Sequence, residues 1–203
     1  MTIDVVLPPA SGDRSNAAKL AALGAASGAI SWGLVNFSRE LNLDFELDGT
    51  PLLLLPLSVY PGLVFGLVFG AVFYRRARLT RERAIGYAMA ALLGYLAAFH
   101  VAFYSIANGF DDSDSPLAYG ASGVAGGLAG ALLLGLLGRF LLRLPGALVL
   151  RRPVATGAIA GAFLGLATFD SHNGWGFFAF FILWQGAYAG SLAPLLRRPL
   201  SDS

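Results

Sequence analysis

The chain has 203 residues, of which 56% are hydrophobic and only 13% charged, with 26 glycines. Soluble domains carry about 25% charged residues, so there is too little polar side chain here to coat a water-soluble globule. The net charge is +2, and the absence of cysteine excludes a disulfide framework, thiolate metal sites and a cysteine nucleophile. The composition is that of an integral membrane protein, with membrane lipids as partners and no nucleic acid.

A span needs about 20 apolar residues. Six stretches free of Asp, Glu, Lys and Arg qualify: 20–37, 51–74, 85–107, 117–138, 153–169 and 174–196. The fifth is the shortest and is rich in glycine. Residues 1–19 form a polar segment without the basic region of a secretory signal, so the first span is expected as a mature helix. Residues 38–50 form the first outer loop and 197–203 a tail.

Basic residues set the orientation. Arg14 and Lys19 precede span one, Arg75, Arg76, Arg78, Arg81 and Arg83 separate spans two and three, and Arg139, Arg143, Arg151 and Arg152 separate four and five. Arg197 and Arg198 follow span six, which leaves only Arg39 on the other side. Lys and Arg are retained on the cytoplasmic face. The expected class is therefore an all-α bundle of six transmembrane helices with both termini inside, in a bacterial inner membrane. The transmembrane domain is expected over 20–196, with 1–19 and 197–203 cytoplasmic. Helix starts are expected at Thr50-Pro51 and Ser115-Pro116, each with a capping oxygen and a proline at the first helical position, and at Arg152-Pro153 without the cap.

The glycines suggest an internal repeat of three helical hairpins. Gly62 and Gly66 in span two, Gly123 and Gly127 in span four, and Gly186 and Gly190 in span six each form a G-x-x-x-G, offset by 61–63 residues. Small residues at this spacing let membrane helices pack closely. In this alignment Pro61, Ser122 and Gln185 are equivalent.

The outer loops are acidic. Leu41, Leu43, Phe45 and Leu47 alternate with Asn42, Asp44, Glu46 and Asp48, the pattern of an extended segment with one apolar and one acidic face. Such an edge could lie on the membrane or pair with another protein or another copy of the chain. Asp111, Asp112, Asp114, Asp170 and His172 share the outer side and are the candidate metal ligands, although nothing in their spacing forces them together. His100 is the one ionisable group inside a span. It is a candidate hydrogen-bonding group or, with His172, a candidate cofactor ligand. No cofactor is expected from a motif. The aromatic run Trp175, Phe177, Phe178, Phe180, Phe181 and Trp184 leaves contact with a lipid, quinone or pigment open.

Gly120-Ala121-Ser122-Gly123, at the outer start of span four, resembles the G-x-S-G of rhomboid intramembrane proteases. The resemblance implies a serine nucleophile, Ser122, on the fourth of six helices, activated by a histidine base, here His172. Departures are clear: His172 lies far ahead of the small run Gly186–Gly190, span two has no His or Asn, and the first outer loop has no Trp-Arg pair. The leading expectation is a non-catalytic assembly or accessory subunit that docks another membrane protein or a second copy. Its docking surfaces would be the helix faces and the acidic outer side. The alternatives are a channel for small uncharged solutes lined by His100, Ser122 and Gln185, and a rhomboid-like serine protease.

Overall fold

The structure, a computed structural model, describes residues 11–40, 55–77, 79–109, 115–142, 150–168 and 175–194. Six helices make up most of it: α1 Ser11–Glu40, α2 Leu55–Arg76, α3 Arg81–Gly109, α4 Pro116–Leu141, α5 Arg151–Gly161 and α6 Trp175–Ser191. Three stretches are long and apolar enough to cross a membrane: Ser15–Ser38, Arg81–Asn108 and Pro116–Leu141. At 1.5 Å per residue they reach about 36–42 Å, more than the roughly 30 Å hydrocarbon core.

Local chemistry sets the helix ends. Ser115 has extended backbone (φ −73°, ψ 141°), its Oγ accepts from the Ala118 N–H at 3.1 Å, and Pro116 follows at the first helical position. The start of α5 differs from the sequence expectation. The helix begins at Arg151 with no side-chain cap, so Pro153 is its third residue. That position is equally permissive, because the first four N–H groups of a helix have no partner within it. Past Gly161 the chain tightens into a 3₁₀ segment, Ala162–Thr168. The 3₁₀ rise is about 2.0 Å per residue, so this short fifth element still reaches about 30 Å.

Successive helices are antiparallel and close into a ring, with α6 returning to α1. The small residues lie at the seams. Gly62, Gly66 and Gly70 of α2 abut Tyr95, Ala88 and Ala84 of α3, while Gly123 and Gly127 of α4 abut Gly161 and Gly157 of α5. Gly186 and Gly190 of α6 abut Ala25 and Ala21 of α1. In each case the glycines of an even helix face the next odd helix around the ring. A second stripe on α4, Gly126 and Gly130, packs against Ala98 and Gly94 of α3. At the α2–α3, α3–α4 and α4–α5 seams a Cβ would collide with the facing helix, so glycine is what permits the close approach, whereas at Gly186 and Gly190 it would only be a tight fit.

Aromatic side chains fill the centre of the ring. Phe69 stacks on Phe65 (4.4 Å between centroids), Phe65 meets Tyr188 edge-on (5.8 Å), Tyr188 stacks on Trp184 (5.9 Å) and Trp184 meets Tyr95 edge-on (5.5 Å). Tyr95, Phe181 and Trp32 continue the column. Large aliphatic residues lie on the outside instead. Leu117, Val124, Leu128, Leu132, Leu136 and Phe140 wind down the exposed side of α4. Small residues between helices, rings at the axis and aliphatics outermost suit a surrounding solvent of hydrocarbon. The antiparallel order also gathers Lys19, Arg75, Arg76, Arg81, Arg83, Arg139, Arg151 and Arg152 at one end of the bundle.

Candidate functional site

A polar cluster is buried where α1, α2 and α6 meet. Gly24 and Gly28 of α1 allow the α6 backbone at Gln185 and Phe181 to come close. This brings Ser27 and Ser31 against Gln185, and all three are buried, Gln185 completely. The Ser27 hydroxyl points to both the Gly24 carbonyl (3.0 Å) and Gln185 Oε1, to which it donates. Ser31 Oγ donates to the Ser27 carbonyl at 2.7 Å. Gln185 Nε2 donates to Ser31 Oγ at 3.4 Å and to the Pro61 carbonyl of α2 at 3.5 Å. Both ends of the amide are therefore occupied, and one side chain ties three helices together. A primary amide in such surroundings neither gains nor loses a proton near neutral pH, so the cluster acts as a clasp.

The other polar candidates lie elsewhere. Ser122 is 1% exposed and its Oγ has no hydrogen-bond partner among the described residues. It sits one turn before Gly126, in line with the stripe that packs against α3. His100 is exposed on α3; taken as the donor, its Nδ1–H reaches the Leu96 carbonyl at 2.8 Å, and its ring lies edge-on to Phe99. His100, Ser122 and Gln185 thus have different immediate surroundings. His172, Asp111, Asp112, Asp114, Asp170 and the segment 41–48 (Leu41, Leu43, Asp44, Phe45, Glu46, Leu47 and Asp48) lie outside the described residues. Among the described residues, no three His, Asp or Glu side chains are grouped to hold a metal ion.

A cavity of about 200 Å³ lies between α3, α4, the 3₁₀ segment and α6. Its floor is Gly123, Gly126, Gly127 and Gly161, and rings from Phe99, Phe103, Tyr119, Phe177, Phe180 and Trp184 enclose it. Among the described residues, no charged side chain lines it. The aromatic run on α6 divides here. Phe177, Phe180, Phe181 and Trp184 contribute to the cavity wall, whereas Trp175 is 63% exposed. Sequence reasoning picked out the run but missed the cavity. The available signal was volume, because small residues on α3, α4 and α5 at one depth leave space that the α6 rings only partly fill.

No protein-family model matches the chain, and no curated protein or solved structure is similar enough to carry an argument about it.

Proposed function

We propose that the chain is a six-span protein of a bacterial inner membrane, both termini cytoplasmic, that acts without catalysis as an assembly or accessory subunit. The orientation rests on the arginines gathered at one end of an antiparallel ring. The observation that carries the non-catalytic reading is the state of Gln185. This fully buried amide already has its partners inside the bundle, so its chemistry is used in holding helices together. What remains for recognition is the apolar outer surface, along α4 above all, and the acidic outer loops.

Two experiments test this. Extraction in mild detergent followed by native mass spectrometry should recover the chain with a second membrane protein or a second copy, and a solitary monomer would overturn the subunit reading. The absence of native cysteine makes introduced ones unique labels. Asp112→Cys should react with a membrane-impermeant maleimide on intact cells, and Ser201→Cys only after permeabilisation.

The aromatic cavity favours a second reading, a receptor for a small lipophile. A cavity of about 150 Å³ lined by apolar side chains stays dry and binds benzene. The one here, about 200 Å³, has room for a single ring or a short stretch of chain. Equilibrium dialysis with a labelled quinone and with a labelled fatty acid tests it, and saturable binding of neither would remove it.

A further inference from the structure

A groove of about 510 Å³ runs along the outside of the α2–α3 seam, away from the cavity and the polar cluster. Gly70, Ala71, Ala84 and Ala88 contribute short side chains to its lining, and the half-exposed Leu67 and Met89 flank them. Gly70, Ala84 and Ala88 belong to the packing of the seam, and the exposed Ala71 adds only a methyl group. By drawing the two helices together while projecting nothing outward, they leave a trough. From Leu63 to Tyr74 the groove follows twelve residues of α2, about 16 Å from first to last. One leaflet of a hydrocarbon core of about 30 Å is about 15 Å deep.

The groove ends at charge. Arg81, in the first turn of α3, is the one charged side chain among the described residues that line it, and Tyr74 offers a phenol. Arg75 and Arg76 close α2 just past Tyr74, and Arg83 follows Arg81, with Glu82 the one acid described between them. A guanidinium binds a phosphodiester through two parallel N–H···O bonds, and a basic cluster at the membrane surface attracts anionic headgroups. Resting on the membrane-embedded reading above, we infer that this groove is a binding site for one anionic phospholipid of the leaflet at the basic end. One acyl chain lies along Leu63–Tyr74 and the phosphate sits on Arg81.

The test is native mass spectrometry of the detergent-purified chain titrated with phosphatidylglycerol or phosphatidylcholine. Phosphatidylglycerol should bind more tightly. Arg81→Gln should weaken it about fivefold, the effect of one basic side chain at an anionic surface, and leave phosphatidylcholine unchanged. Arg151→Gln, an exposed arginine at the same end of the bundle on α5, should leave both unchanged. Ala71→Trp, which fills the groove, should weaken both lipids. Far-UV circular dichroism identifies any variant that has lost its helices, and Ala71→Leu then replaces Ala71→Trp. Equal affinity for the two lipids would overturn the site, as would equal losses in Arg81→Gln and Arg151→Gln. Displacement by inorganic phosphate would reassign it as a simple anion site and also overturn the lipid. A wild-type chain recovered from cells in the soluble fraction without detergent would instead overturn the membrane reading itself.

Discussion

Substituting one seam glycine and one open glycine with the same residue isolates the cost of close helix approach. In Gly123→Ala the new Cβ would overlap the Gly161 carbonyl oxygen and lie 2.7 Å from Leu164 Cβ and 2.9 Å from the Gly161 carbonyl carbon. Ordinary carbon contacts sit at about 3.5–4.0 Å, so α5 has to back away by roughly 1 Å. Overpacking of this kind costs about 1–3 kcal/mol. Alanine is the better helix former by about 1 kcal/mol, which leaves a net loss of about 0–2 kcal/mol. In Gly33→Ala the new Cβ has nothing within 4 Å, so only the helix-forming gain remains, about 0.5–1 kcal/mol. If the helices are already formed in the unfolded reference state, that gain falls away for both variants, but the gap of about 1–3 kcal/mol survives. The assay is reversible unfolding in mixed dodecyl sulfate micelles, followed by tryptophan fluorescence. Gly161→Ala, whose Cβ would overlap the Gly123 carbonyl oxygen, should be less than additive with Gly123→Ala, because one separation accommodates both methyl groups. Equal stability of Gly123→Ala and Gly33→Ala would refute the α4–α5 contact.

The same unfolding assay checks three further expectations. Ser27→Ala and Gln185→Leu should each destabilise, with a double-mutant coupling of about 0.6–1.7 kcal/mol, the range of interhelical hydrogen bonds in membranes; zero coupling would mean that the Ser27 Oγ–Gln185 Oε1 bond is absent. Ser122→Ala removes a buried hydroxyl that lacks a partner, so it should be neutral or stabilise by about 1 kcal/mol. A loss larger than that would reveal a partner for Ser122, and labelling of the wild type but not Ser122→Ala by a serine-reactive phosphonate would favour the protease reading. Ser115→Ala should cost about 1 kcal/mol through loss of the α4 cap, and Ser115→Asn should restore most of it, as read from the unfolding midpoint.

Much of the fold was legible along the chain because the helices follow uncharged apolar runs. Each of the six runs holds one described helix, and the cap at Ser115 was readable as Ser-Pro. The ends were less legible. The first helix begins at Ser11, well ahead of the apolar run, since alanines and Lys19 continue a helix as well as leucine does. The 3₁₀ turn over 162–168 has no local signal beyond glycine content. The polar cluster was half legible. Gln185 stands out in an apolar span, but its partner Ser27 lies 158 residues away and looks like any serine in a membrane helix.

Hydrophobic runs, charge placement and four-residue glycine spacing are properties of a single segment, so the sequence alone determines where the six described helices run and which face of each is small. A helix face does not name its neighbour. Only packing in three dimensions decided that the α2 glycines meet α3, those of α4 meet α5 and those of α6 return to α1. Packing also decided that Gln185 is tied to α1 and α2 while His100 is exposed on α3, and where space was left over. The aromatic cavity and the outer groove exist because short side chains from several helices fall at one depth, and volume of that kind belongs to no single stretch of chain.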